Sequence, residues 1–228
     1  MVTLIHVAAG TFVLLVAPAA MLVRKGGAWH RRWGLAFAGA MAFVLATALF
    51  MWQSHGHLFL VFLDAVSAYL VVIGYRTIAR RRRRARDDAA DRFDIAGAAI
   101  VTVCAAALVF LGATARTPLM QSLAIVLFAL AAIATIFALL DLKAVLDRRQ
   151  SKLGSLLMHL SAMIGAYISA VTAFVVINAH AVPMGLRWLV PSLLGSGVIA
   201  GFSIVYRRRF ARRAVASRPI LKPAKTSS

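Results

Sequence analysis

The sequence predicts an all-α integral membrane protein, a bundle of seven transmembrane helices with the N-terminus outside the cell and the C-terminus in the cytoplasm. Hydrophobic residues make up 62% of the 228 residues, whereas a soluble domain carries roughly 45–50% apolar residues. They form runs of about 18 or more, the length that a helix needs to cross a bilayer. Lys and Arg concentrate between the runs, which is how membrane proteins fix their orientation.

Seven apolar segments follow one another along the chain, at residues 2–23, 33–53, 58–78, 93–115, 118–140, 153–178 and 188–206. The first ends in APAA, which looks like a signal-peptide cleavage site, but its positive charges follow the apolar run instead of preceding it. We therefore expect a retained first helix. One transmembrane domain, residues 1–210, holds all seven predicted helices, and residues 211–228 are predicted to be a basic, disordered cytoplasmic tail.

Positive charge predicts which side of the membrane each connection occupies. The connections after the first, third and fifth helices, counted from Arg76 in the third, together with the tail counted from Arg207, hold 24 of the 26 Lys and Arg residues, and the opposite connections hold Arg116 and Arg187. Cytoplasmic segments carry this excess, so we expect these connections and the C-terminus on the cytoplasmic side. The expected location of the protein is a bacterial inner membrane. Its basic segments should contact anionic lipid, at about 1 kcal/mol per residue. The net charge of +19 also raises nucleic acid as a partner, but no aromatic residues interleave with the charges, and we expect none.

The sixth span carries a histidine about two turns inside its apolar run. At 100° per residue, His159 shares one face with Tyr167 and with a set of mostly small residues, Ala162, Met163, Ala166 and Ala170. Small residues let a neighbouring helix approach closely, so this face is predicted to point into the bundle. The opposite stripe is predicted to face lipid: Leu160, Ile164, Ile168, Val171 and Val175. The expected partners of His159 are His30, Tyr75, Asp141 or a backbone carbonyl.

Two further spans carry polar residues. His6 lies on a small-residue face of the first span, and Asp64 lies about two turns inside the third, on the side predicted to hold Ser67 and Tyr75. An ionisable residue inside a span is a functional candidate by default. The candidate polar site in the bundle is therefore His6, Asp64, His159, Tyr167 and Tyr75.

The histidines also define the candidates for haem b, whose iron takes two axial imidazoles. His6 and His159 lie in opposite halves of the membrane, roughly 15 Å apart by helical rise, so they cannot share one haem. Two other sets of pairings stay open: His30 with His159 on the inner side, and His6 with His55, His57 or His180 on the outer side. The turn SHGH is a weak signal for a metal ion. We predict no metal site and no cofactor, with haem b as the alternative.

Several functional classes lack the residues that they require. A retinal Schiff base needs a lysine within a span, and all five lysines lie between or after the predicted spans. The sequence contains neither a G-x-S-x-G nucleophile elbow nor a P-loop. No predicted connection is long enough to form a soluble catalytic domain. A function must therefore reside in the helix bundle or at its rims.

Three segments resemble a bacterial family of predicted seven-helix, multi-pass membrane proteins to which no function is assigned. They are HVAAGTFVLLVAPAAMLVRKGGAWHRRWG (6–34), GYRTIARRRR (74–83), and HLSAMIGAYISAVTAFVVIN followed by WLVPSLLG (159–178 and 188–195). The family's recurring elements are an early His in helix 1, a basic His-Arg loop before helix 2 and the pattern HxxxMxxxYxxxxxAF in the penultimate helix. The resemblance implies an integral membrane bundle and little chemistry.

We expect a non-enzymatic accessory, assembly or sensing subunit, in which a polar spine organises the bundle and partner membrane subunits contact its surface. Compact connections and the lack of catalytic motifs favour this hypothesis. One alternative is a haem-b-binding membrane electron carrier. The other is a proton-linked transporter of small molecules that uses Asp64 and His6.

Overall fold

The computed structural model describes residues 1–55, 58–82, 88–146 and 151–216. Within these ranges the chain is helical apart from short connections and forms no strand. The helices are α1 (Val2–Leu22), α2 (Ala28–His55), α3 (Leu58–Arg82), α4 (Asp88–Ala113), α5 (Pro118–Leu146), α6 (Lys152–Asn178) and α7 (Met184–Ala216). All seven are long and apolar enough to cross a membrane, which confirms the predicted all-α fold with seven spans.

The helices extend beyond the apolar segments that predict them. α2 begins at Ala28 rather than at residue 33, and α5 continues to Leu146 rather than ending at residue 140. Arg and Lys are good helix formers, so a helix continues past the segment that hydropathy detects. α7 likewise continues to Ala216, which makes residues 211–216 of the predicted tail helical. Residues 217–228 lie outside the described ranges.

Four of the helices close into a ring. α1 packs on α2, α2 on α3, α3 on α6, and α6 on α1. α4 and α5 pack against each other and against the outside of α3, and α7 packs mainly on α6. We call the end of the bundle at which α1 finishes and α2 begins the basic end, because the connection there carries Arg24 and Lys25 and α6 begins there with Lys152.

The sixth helix is covered on two sides. Its small-residue face is buried as predicted, since Ala162 and Ala166 are fully enclosed. The prediction that the opposite stripe faces lipid is wrong for its first half, where Leu160 and Ile164 are also buried. The reason is α7, which packs along α6 so closely that a Cβ atom at Gly195 would collide with the side chain of Ile168.

The outer surface of the bundle is apolar. Large hydrophobic side chains point outward on several helices, among them Leu4, Leu15, Val103, Phe110, Ile125, Leu193 and Leu194. In water such a surface would favour aggregation, because soluble monomers seldom expose extended apolar patches. The hydrocarbon of a bilayer accommodates it, in agreement with the seven candidate spans.

Candidate functional site

Two histidines meet at the basic end, one from α2 and one from α6. The Nδ1 atom of His159 lies 2.7 Å from the carbonyl oxygen of Gly74 in α3. The ring of His30 stands next to it, with the two ring centroids 6.3 Å apart and the ring planes at 79°. Two of the four expected partners of His159, a backbone carbonyl and His30, are therefore found beside it.

The last turn of α1 holds His30 in place. The Nδ1 atom of His30 lies 2.9 Å from the carbonyl oxygen of Ala20. The ammonium group of Lys25 donates to the same oxygen at 3.3 Å and to the carbonyl of Met21. Helix C-termini present carbonyls without intrahelical partners and attract cations. Burial lowers the pKa of the Lys25 ammonium below its ordinary value.

A buried ionic cluster joins α3, α4 and α5 at the same end. Arg76 and Arg80, one turn apart on α3, both pair with Asp94 of α4, and Arg80 also pairs with Asp141 of α5. The hydroxyl of Tyr69 donates to Asp141 at 3.2 Å. The side chain of Asp141 is fully buried and that of Asp94 is 1% exposed.

The cluster is neutral, with two guanidinium groups and two carboxylates. Burying a charge is costly unless it is paired and hydrogen-bonded, and here each carboxylate contacts at least one arginine. Not every polar atom is satisfied: Arg80 Nη1 and Thr77 Oγ1 are buried without a hydrogen-bond partner in the part of the chain that the structure describes.

Sequence reasoning missed this cluster. Charge counting places Arg76 and Arg80 among the connection charges that set the orientation, and the sequence predicts Asp141 only as a partner for His159. The available signal was the placement of Asp94 and Asp141 at the edges of apolar spans, where an acidic residue needs a cation. Which arginine would meet which carboxylate depends on how α3, α4 and α5 are arranged.

Tyr75 does not belong to the interior, contrary to the prediction. Its side chain is 59% exposed, whereas Ser67 is buried and donates to Ser169 of α6 at 2.8 Å. Eight residues separate Ser67 from Tyr75, which turns the helix by about 80° beyond two full turns. Tyr167 does face inward, and its hydroxyl donates to the carbonyl of Leu14 in α1 at 3.3 Å.

The polar residues at the end of the bundle opposite the basic end do not form one cluster. The Nδ1 atom of His6 lies 2.8 Å from the hydroxyl oxygen of Thr47 in α2. Asp64 is half-buried, and no hydrogen bond or ion pair joins it to another residue within the described ranges. The exposed His180 lies in the connection between α6 and α7. The side chain of His55 and all of His57 lie outside the described residues.

Arg187 organises the connection between α6 and α7. Its guanidinium donates to three backbone carbonyls, those of Val176, His180 and Val182, at 3.2, 2.6 and 2.6 Å. The bond to Val176 satisfies a carbonyl in the last turn of α6, where carbonyls lack intrahelical partners, and the other two bonds satisfy carbonyls of the connection itself. Arg187 was predicted as one of two charges on the outer side, and the structure gives it a local role as well.

Two cavities in the described part of the chain are open to the surface and lined almost wholly by apolar side chains. One, of about 420 Å³, lies between the end of α6 and the start of α7 beside Val175 and Pro191. The other, of about 310 Å³, lies between α4 and α5 beside Thr102 and Leu139. Neither is lined by a residue of the predicted polar site. Among the described residues, no three His, Cys, Asp or Glu side chains are grouped to hold a metal ion.

Comparison with known proteins finds no matching protein-family model, no matching curated protein and no matching solved structure. The class of the protein therefore comes from its own structure. Seven helices of membrane-spanning length and composition, an apolar outer surface and polar contacts concentrated inside the bundle define a multi-pass transmembrane protein.

Proposed function

We propose that the chain is an accessory, assembly or sensing subunit of the bacterial cytoplasmic membrane, and that it acts by binding other membrane proteins rather than by catalysis. The observation that carries this proposal is the outward face of α7. Gly197 and Gly201, four residues apart, are both exposed, and a Cβ atom at either would meet nothing within 4 Å. Glycines at this spacing allow a second transmembrane helix to approach closely.

The buried polar groups support the same proposal. The charges of the ionic cluster pair with one another and so hold α3, α4 and α5 together. His6 and Tyr167 bind residues of neighbouring helices. These contacts between helices support the proposed polar spine, and a stable bundle is what a partner-binding subunit requires.

Replacing Gly197 with leucine is expected to dissociate the protein from its membrane partner or from a second copy. The added side chain would hold the facing helix away from α7, and close van der Waals packing is a main source of helix association in lipid. Native gel electrophoresis of membranes solubilised in a mild detergent measures the result. The wild type should migrate as a complex and the variant near its chain mass of 24.5 kDa plus bound detergent.

Gly39→Leu provides the matched control. Gly39 is also exposed, lies in α2, and has open space around the position of a Cβ atom, so the same change there should leave the complex intact. Migration of the wild type as a monomer, or an intact complex in the Gly197 variant, would contradict the proposed role of α7.

We further propose that the basic end faces the cytoplasm. Removing Arg76 and Arg80, which are paired inside the bundle, from the 24 charges leaves 24 − 2 = 22 on this side against two on the other, a bias that still predicts the orientation. The single native cysteine, Cys104, can be replaced by alanine to give a background for labelling.

In that background, Ala181→Cys in the α6–α7 connection is expected to react with a membrane-impermeant thiol reagent added to intact spheroplasts. Arg24→Cys at the basic end should react only after the membrane is disrupted. Both positions are exposed, so accessibility reports the side of the membrane. The reverse labelling pattern would overturn the proposed orientation.

A further inference from the structure

The facing imidazoles of His30 and His159 share a feature beyond their proximity. Each Nδ1 atom lies within hydrogen-bond distance of a backbone carbonyl oxygen, that of Ala20 or that of Gly74. A carbonyl only accepts, so in the neutral ring Nδ1 carries the proton and Nε2 keeps its lone pair. Metal-ligating histidines take this arrangement, in which the carbonyl fixes the ring and its tautomer.

The spacing of the two rings fits one metal ion between them. A metal–imidazole bond is about 2.0–2.1 Å long and the ligating nitrogen lies roughly 1.1 Å from the ring centre, so two imidazoles on opposite sides of an ion have centres about 6 Å apart. The observed separation is 6.3 Å. That distance also suits an edge-to-face ring contact. The two carbonyl hydrogen bonds are the additional observation that favours ligation.

The position of the two histidines in the four-helix ring suits a flat cofactor. α2 and α6 are opposite members of the ring formed by α1, α2, α3 and α6, and in the described residues they share no extensive helix–helix contact. Bundle cofactors bind between side chains of facing helices. A planar ring inserted between α2 and α6 would therefore not have to break an extensive direct contact between these two helices.

From these observations we propose that His30 and His159 are the two axial ligands of a single haem b, bound between α2 and α6 at the basic end. A six-coordinate haem of this kind takes two protein ligands because the porphyrin supplies the other four nitrogen atoms, whereas a structural zinc ion takes four protein ligands. The haem propionates would meet the ammonium group of Lys25, which shares the carbonyl of Ala20 with His30. This inference goes beyond the proposed accessory role, since partner binding by α7 does not require it.

The test is the absorption spectrum of the full-length protein, expressed with added haem precursor and purified in a mild detergent. We expect a Soret band, a sharp band in the visible region after reduction with dithionite, and one haem per chain. The nearly perpendicular ring planes should give a strongly anisotropic low-spin ferric signal in electron paramagnetic resonance. His30→Ala and His159→Ala should each abolish the six-coordinate spectrum, leaving either no haem or a five-coordinate, high-spin haem.

Two controls separate ligation from folding. His180→Ala changes an exposed histidine at the other end of the bundle and should leave the spectrum unchanged. His159→Gln keeps a side-chain amide that can donate to the carbonyl of Gly74, so it should retain the wild-type elution volume while losing the low-spin spectrum. A bare protein spectrum after expression with haem precursor would overturn the proposal. So would an unaltered low-spin spectrum in His159→Ala, or stoichiometric zinc or copper in place of haem.

Discussion

Replacing Asp141 with alanine is expected to lower the free energy of unfolding by about 3–5 kcal/mol, the cost of removing one partner from a buried ion pair. Asp141 is fully buried and pairs with Arg80, whose side chain is only 10% exposed. Removing the carboxylate leaves that guanidinium without one of its two counter-charges. The hydroxyl of Tyr69 also loses its acceptor. Both losses act in the same direction.

The measurement is unfolding in mixed micelles with increasing dodecyl sulfate, followed by the fluorescence of the four tryptophans. The double variant Arg80→Met/Asp141→Leu should recover a large part of the loss, because apolar residues of similar volume can replace a buried pair without penalty. Measured together with the single variants Arg80→Met and Asp141→Leu, this recovery gives the coupling energy between the two positions. It would show that the cost of Asp141→Ala comes from the unpaired charge rather than from the lost volume.

Asp91→Asn serves as the control, since it removes a half-buried carboxylate from the same region of α4, and no ion pair joins Asp91 to the cluster in the described residues. We expect a change within about 0.5 kcal/mol there, as for surface substitutions. If Asp141→Ala destabilised the protein no more than Asp91→Asn does, the cluster would not hold α3 and α5 together, and the polar spine would lose its main support.

Much of the fold follows from the sequence because a membrane imposes simple rules on it. A helix that crosses hydrocarbon must be apolar over about 20 residues, so all seven helices are visible in the hydropathy pattern, and their polar extensions are not. The inward face of α6 is visible too, in Ala162 and Ala166. Burial of Leu160 and Ile164 was not predictable, because one helix by itself does not reveal that a second neighbour, α7, covers its other face.

The candidate site was predictable to a smaller extent. His159 stands out because its neighbours in the sequence are apolar. The helical rise places His6 too far from it to be its partner, and His30 is then one of a few alternatives. The ionic cluster depends on contacts between residues far apart in the chain, such as Arg80 with Asp141. Charge counting assigns every arginine near a span end to the membrane surface. It cannot distinguish one that turns inward from one that contacts lipid headgroups.

Replacing Gly74 with leucine is expected to destabilise the protein by about 3 kcal/mol, at the upper end of the usual cost of overpacking. α3 and α6 meet at this glycine. A Cβ atom there would lie 2.7 Å from Sδ and 3.0 Å from Cγ of Met163, and 3.4 Å from Cβ of Ala162. The methionine side chain is flexible and can yield to one added carbon, but the four carbons of leucine must force the helices apart.

The same substitution displaces the carbonyl that accepts a hydrogen bond from His159. The exchange Gly74→Leu/Met163→Ala moves the bulk across the interface and should restore at least half of the lost stability in the same dodecyl sulfate titration. Gly39→Leu, at a glycine with open space around it, should be tolerated. If the exchange restores both the stability and the hydrogen bond from His159 to the carbonyl at position 74, the close approach of α3 and α6 is what positions His159 opposite His30. Full stability of Gly74→Leu without any second change would show that the two helices do not approach this closely.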